Sequence, residues 1–276
     1  MDKDKLIIIA GMPRAGTTYM YQTLQSHPMI FMPKIKEINY FSFNFDKDES
    51  WYEELFAGAK SEQIYFDISP QYFLHDNFLE NVKSFNNNQK VILFLRDSNQ
   101  WLISFYRQIV RNRAFHGITF ENFIKSHEMK FEGKKQVLNL ENFDFIKRIE
   151  LFKETFKGNL MLINFDYFES EKVAVMQEIE KFCNLENYFN EKNITNEKIN
   201  SANRDNNRFV AFLSTISILR SSAFKILPES WINYIRDNYI IGVEKEEKIE
   251  DDSRPIYGPN NIFKETYFKN EEIIYC

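Results

Sequence analysis

Residues 6–18 read LIIIAGMPRAGTT, and no other stretch of the chain narrows the fold so far. Positions 6–10 are apolar without a break, and Ile7, Ile8 and Ile9 are β-branched in succession. A run with no polar face belongs to a strand buried on both sides, the habit of parallel sheets covered by helices. The run opens onto a loop bounded by Gly11 and Gly16. Residues 17–26 then carry helical periodicity and stop near His27-Pro28. Glycine is scarce, eight among 276 residues, against a usual share of about 7%. Two of the eight inside one six-residue span mark a place where backbone must pass close to a ligand with no Cβ in the way.

The same grammar recurs downstream. Residues 64–68, 91–95 (VILFL) and 160–165 (LMLINF) read as further strands. Residues 101–113, 143–156 and 172–183 read as helices. Strands alternating with helices predict an α/β fold with a central parallel sheet flanked by helices. No internal repeat is visible, and residues 1–276 read as a single domain. From about Glu186 the chain turns loop-rich. Residues 209–227 then read as an apolar helix, and 242–253 as a solvated charge run. The 28 phenylalanines predict an aromatic core, an acceptor cleft, or both.

Composition excludes several classes. The net charge is −5, from 35 basic and 40 acidic residues, which argues against a nucleic-acid partner held by charge alone. Cys183 and Cys276 stand in no metal-ligand spacing, and there are four histidines, so no metal is expected. The first apolar run is too short for a signal-peptide core, and no stretch has the length of a transmembrane segment. The expectation is a soluble, cytoplasmic protein.

The loop itself carries chemistry. Gly11, Gly16 and Thr18 match the phosphate-loop spacing G-x-x-x-x-G-K-[ST], but Thr17 stands at the lysine position and a cation appears earlier, at Arg14. Pro13, Arg14, Ala15, Gly16, Thr17 and Thr18 make a candidate phosphate cradle. Its parts are backbone N–H groups, two hydroxyls and the positive end of a helix. The missing lysine argues against a nucleoside triphosphate. A second candidate lies at Arg96, which closes the apolar strand 91–95, with Ser104 eight residues later in a helix. Ligands of open α/β sheets bind at the carboxyl ends of the strands, where an arginine can grip phosphate bidentately.

GMPRAGTT resembles the 5′-phosphosulfate loop of sulfotransferases that use 3′-phosphoadenosine-5′-phosphosulfate (PAPS). Arginine at the position of Arg14 is similar to tyrosylprotein and many bacterial members, whereas the cytosolic ones carry lysine. The resemblance continues through Leu24, His27-Pro28, Pro33, Lys36-Glu37 and Tyr40-Phe41, which look like the "L-x-x-HP … KE-x-x-YF" stretch of bacterial and heparan-type members. Arg96 and Ser104 resemble the family's 3′-phosphate pair, with Ser98 where proline is usual. DISPQYF (67–73) resembles "E-x-SP-x-YF", with Ile68 where several heparan-type enzymes have lysine. Residues 118–124 and 143–170 match more softly and read as packing, with Asp166 where an acid is usual. Residues 199–209 look like the late loop that closes over the nucleotide, with Asn200, Arg204 and Arg208 as candidates.

The resemblance implies a three-layer P-loop NTPase-like fold, with PAPS as donor, adenosine 3′,5′-bisphosphate (PAP) as product and no metal. It implies Glu37 as catalytic base and Arg14 as the bridge between leaving phosphate and sulfuryl group. Pro13 to Thr18, Arg96, Ser104 and Arg204 would hold the nucleotide. Lys36, Ser69, Tyr72 and His75 would face the acceptor, His75 doubling as an alternative base, and His27 would be structural. Read without the family, Glu37 is a surface carboxylate paired with Lys36 or Lys34, and Lys36 an ordinary solvated lysine. The expected acceptor is a hydroxyl or amine of a glycan, lipid or small metabolite. Lys125, Lys130, Lys134 and Lys135 read either as a groove edge or as a solvated helix face or loop. A small-molecule kinase of the P-loop kind and a non-catalytic nucleotide- or glycan-binding module are the alternatives.

Overall fold

The computed structural model describes residues 1–111, 118–194 and 273–275. The elements are β1 (Leu6–Gly11), α1 (Thr17–Leu24), β2 (Ile30–Phe31), α2 (Glu49–Glu54), β3 (Ile64–Ile68), α3 (Phe78–Phe85), β4 (Lys90–Leu95), α4 (Ser98–Arg111) and α5 (Phe120–Lys125). They continue with β5 (His127–Phe131), β6 (Lys134–Leu138), α6 (Phe145–Phe156), β7 (Leu160–Asn164), α7 (Phe165–Ser170), α8 (Lys172–Phe182) and β8 (Ile273–Tyr275). The main sheet has the order β2-β3-β1-β4-β7-β8. Its first five strands run parallel, and β8 joins β7 antiparallel.

Every residue of β1 is buried, which is what an all-apolar run in the middle of a helix-covered sheet requires. Ile8 lies in register with Asp67 of β3 on one side and Val91 of β4 on the other. The chain leaves β1 for β2 and β3 on one flank and returns to β4 and β7 on the other. The carboxyl ends of β1, β3 and β4 therefore meet at the topological switch point, where open sheets bind ligands.

The four strands predicted from apolar runs sit within a residue or two of the observed bounds. Other elements depart from expectation. α4 starts at Ser98 rather than near 101, because Asp97 caps it: its Oδ1 accepts the Gln100 N–H at 3.0 Å. Residues 127–138 form a two-stranded hairpin, β5–β6, so the reading of the lysine-rich segment as a helix face or loop holds for Lys125, which ends α5, and is corrected for Lys130, Lys134 and Lys135. His127 and Met129 point inward while Lys130 points out, and Glu132 and Gly133 turn the chain at φ 46° and 83°. Three of these four lysines are paired with acids, Lys125 with Glu121, Lys130 with Glu128 and Lys134 with Asp46. The expectations for 209–227, for 242–253 and for Asn200, Arg204 and Arg208 lie outside the described residues.

The aromatics of the described residues are mostly core. Phe73 and Phe78 of the 70–78 segment pack on Phe152 of α6 with centroids 5.8 and 5.5 Å away, and Phe152 reaches Phe156 at 5.7 Å. Arg148, one turn earlier on α6, donates from Nε to the Phe73 carbonyl at 2.8 Å. No helix among the described residues is long and apolar enough to cross a membrane. Phe152→Ala should lower stability by about 3–5 kcal/mol, read as a fall in the urea midpoint with the slope unchanged.

Candidate functional site

The loop after β1 is shaped by its protein neighbours. Met12 N–H donates to the Phe94 carbonyl at the end of β4 (3.1 Å), and Ala15 N–H closes a turn on the Met12 carbonyl (3.1 Å). A Cβ at Gly11 would lie 3.0 Å from the Phe94 carbonyl oxygen. A Cβ at Gly16, whose φ is 81°, would meet Phe168 at 3.0 Å and Phe165 at 3.2 Å. The sequence assigns both glycines to the approach of a ligand; in the structure a strand and an aromatic wall crowd them. Arg14 also takes a left-handed φ, 71°. Two loop carbonyls are engaged from outside: Pro13 O accepts Trp101 Nε1–H at 2.7 Å, and Arg14 O accepts Arg96 Nη1–H at 3.1 Å. Gly16 is the N-cap of α1 and supplies no side-chain acceptor, so the Thr17 and Thr18 amides open a helix whose first N–H groups have no partner within it.

Arg96 follows β4 directly. Its guanidinium lies 4.8 Å over the Phe165 ring, and its buried Nε finds no acceptor among the described residues. Burial lowers its pKa, while Asp166, Glu169 and Asp97 pull the other way. Ser104 stands half-buried in the second turn of α4. An arginine stacked on a ring, with one nitrogen bonded and a buried one lacking an acceptor among the described residues, can take an anion.

The second arm of the site comes from the segment before α2. Lys36 Nζ donates to Thr18 Oγ1 at 2.8 Å and lies 3.3 Å from Glu37 Oε1. Glu37 does pair with Lys36, as its bland reading holds; the pair is partly exposed, and Lys36 links it to Thr18 in the first turn of α1. The segment is pinned upstream by Tyr21 Oη–H donating to the Pro33 carbonyl at 2.8 Å. Glu37 and Asn39 both adopt positive φ, 60° and 52°, conformations that cost a side-chain-bearing residue roughly 1–2 kcal/mol each.

Ser69 and Tyr72 are fully buried and turn toward Asp67 of β3. Ser69 Oγ–H donates to Asp67 Oδ1 at 2.8 Å; Tyr72 Oη–H and Tyr52 Oη–H donate to Oδ2 at 2.7 and 3.0 Å. Ser69 and Tyr72 are both closed off from the surface. Burial raises the Asp67 pKa to about 6, held back by the three hydroxyls. Burial and Asp67 push both tyrosines well above their ordinary range, so they stay donors. His75 is buried edge-on to Phe43 at 4.9 Å, its carbonyl accepts from Arg148, and burial lowers its pKa. His27 sits against Glu180 at 3.4 Å and accepts the Met29 N–H on Nδ1, a structural position.

Sequence reasoning missed Asp67, Tyr52 and Asn39. The signal for Asp67 was present: an acid inside a strand buried on both faces must be satisfied by specific partners. Nothing in the local sequence marks Tyr52 or Asn39.

Two consequences are measurable. Gly16→Ala should destabilise by about 1–3 kcal/mol through its left-handed φ and the Phe168 contact, seen as a lower thermal midpoint. Asp67 binds its proton more tightly when folded, so its contribution to stability is greatest below pH 4 and is lost as pH rises through about 6. In denaturant titrations from pH 4 to 7, Asp67→Asn should remove that part of the slope.

The geometry can now be set beside known proteins. A profile of the sulfotransferase family matches residues 7–149, just over half of the chain. Heparan sulfate glucosamine 3-O-sulfotransferase 5 of mouse and human is 24% identical over 183 residues, covering 64% of this chain and 53% of its own length. The membrane-associated sulfotransferase kil1 of Dictyostelium discoideum is 29% identical over 153 residues, 49% of this chain and 32% of its own. The chain thus spans about half the length, or less, of these relatives. The crystal structure of a sulfotransferase from Alicyclobacillus acidocaldarius superposes with a TM-score of 0.53 at 16% identity, covering 82% of this chain and 98% of that one. The sulfotransferase domain from the curacin biosynthetic pathway gives 0.52 at 14% identity, covering 70% and 78%. These two share the fold, and the family match over residues 7–149 places the chain in the sulfotransferase family.

Proposed function

We propose that this chain moves a sulfuryl group from PAPS to a hydroxyl or amine of an acceptor. One observation carries the reading: Lys36 ties the Glu37 carboxylate to Thr18, the second residue of the helix that opens from the anion loop. A base, a cation and an anion cradle are thereby joined on one edge of the switch-point crevice.

The residues fit the donor. The Gly16 cap and first turn of α1 offer N–H donors and a partial positive charge, and the Nε of Arg96, which lacks an acceptor among the described residues, offers a site for a second phosphate. Bound there, PAPS supplies an activated sulfuryl group and leaves as PAP. Pro13 to Thr18 would cradle its 5′-phosphate, and Arg96 with Ser104 its 3′-phosphate. Arg14, Thr17 and Thr18 would neutralise charge that grows on the leaving phosphate oxygen. Glu37 would take the acceptor proton as the acceptor oxygen or nitrogen bonds to sulfur. Lys36, held between Thr18 and Glu37, would balance the anionic group in transfer. Ser69, Tyr72 and His75 would serve the acceptor side indirectly, by shaping the wall behind Glu37. A glycan hydroxyl is the first acceptor to try, because two of the relatives are named for 3-O-sulfation of glucosamine.

Titration with PAP should show tight binding where ATP binds weakly or not at all; the reverse order would favour a kinase. Labelled PAPS offered with heparosan, N-sulfated heparosan, chito-oligosaccharides, phenols and long-chain alcohols should label one class. Glu37→Gln should leave PAP affinity within about twofold and lower turnover about 10²–10⁴-fold. Near-normal turnover would remove Glu37 from the base role.

A further inference from the structure

The Asp67 carboxylate is fully buried and touches three hydroxyls, and the residue that bears each of them reaches onward to the segment that carries Glu37. Ser69 Oγ, whose proton goes to Asp67, accepts the Asn39 N–H at 3.1 Å. Tyr72 Oη, likewise committed to Asp67, accepts the Phe41 N–H at 3.3 Å. The Tyr52 ring stacks on Tyr40 with centroids 4.2 Å apart. Three consecutive residues, Asn39, Tyr40 and Phe41, are thus each held by one arm of a single carboxylate. On the near side, Glu37 N–H donates to the carbonyl of Ile68, the residue after Asp67 (3.2 Å).

An ionised carboxylate only accepts hydrogen bonds. It therefore turns both hydroxyl protons inward and leaves the oxygen lone pairs of Ser69 and Tyr72 facing the two backbone N–H groups. A neutral or donating group at position 67 would not impose that direction. The segment needs such a hold, because Glu37 and Asn39 both sit at positive φ, and strained backbone persists only where its surroundings over-determine it.

We propose that Asp67 is a positioning residue for the sulfuryl-transfer site: through Ser69, Tyr72 and Tyr52 it fixes the 37–41 turn, and so the direction in which the Glu37 carboxylate faces the anion loop. The meaning of this for catalysis rests on the reading of Glu37 as the base. The tether itself does not.

The test is residue-resolved amide exchange on the whole chain, with wild type compared to Asp67→Ala, Asp67→Asn, Ser69→Ala and Tyr72→Phe. Ser69→Ala should speed exchange at Asn39, and Tyr72→Phe at Phe41. Asp67→Ala should speed both by about tenfold or more relative to Ile8 of β1 and Ile92 of β4, and Asp67→Asn, which keeps one accepting oxygen, should fall between. The carbon-13 resonance of the Glu37 carboxylate should move in Asp67→Ala, while PAP affinity stays within about twofold, since the cradle is built on β1 and α1. Exchange at Asn39 and Phe41 that is unchanged, or that rises only in step with Ile8 and Ile92, overturns the proposal, as does an unmoved Glu37 resonance. Ser69→Ala and Tyr72→Phe keep the test decisive where Asp67→Ala does not fold. A wild-type chain that binds no PAP would instead overturn the donor reading, with the exchange result still deciding the tether.

Discussion

The central strand, buried on both faces, dictates where the remaining parts can go. β1 has β3 on one flank and β4 on the other, with no residue exposed. Neither face of β1 carries a polar side chain, so the candidate chemistry gathers at the strand ends. The chain crosses to opposite flanks after β1, which opens a crevice at the carboxyl ends of three strands. Each strand end delivers a different part: the anion loop after β1, Ser69 after β3, and Arg96 after β4. The approach of Gly11 to the Phe94 carbonyl keeps the first and third of these against each other.

The aromatic surplus is the material that holds the polar parts in place. Phe165 carries the Arg96 guanidinium, and Phe165 with Phe168 presses on Gly16. Trp101 reaches the Pro13 carbonyl with its indole N–H, and Tyr52 joins the Tyr40 ring to Asp67. Large rings lose little freedom on burial for the area they cover, so they suit a site whose backbone is left-handed at Arg14, Glu37 and Asn39. Strain of this kind collects where function is built, and here three of the six non-glycine residues at positive φ among those described lie on the one site.

The parts of the fold legible in the sequence were those with strong local signals. Apolar runs of three to five residues located β1, β3, β4 and β7, and 3.6-residue periodicity located α6 and α8. β2 is two residues long and β8 three, below the length at which periodicity speaks. The hairpin β5–β6 was hidden by its lysines, whose outward alternation resembles a solvated surface until the pairing strand is in view. The start of α4 depended on one capping bond from Asp97.

By itself the sequence determined the parallel α/β class; it offered the loop Gly11–Thr18 and Arg96 as candidate phosphate contacts, and the family resemblance added Glu37 as a candidate base. Each of these is a local pattern read over fewer than twenty residues. Only the tertiary structure decided that Lys36 reaches Thr18, that Arg96 lies on Phe165, and that Asp67 gathers Tyr52, Ser69 and Tyr72. Lys36 and Thr18, Arg96 and Phe165, and Asp67 and Tyr52 lie 15 to 69 residues apart, and a buried hydrogen bond or ring contact across such a span leaves no periodic trace in the chain. Its partners are chosen by where the sheet places their strands.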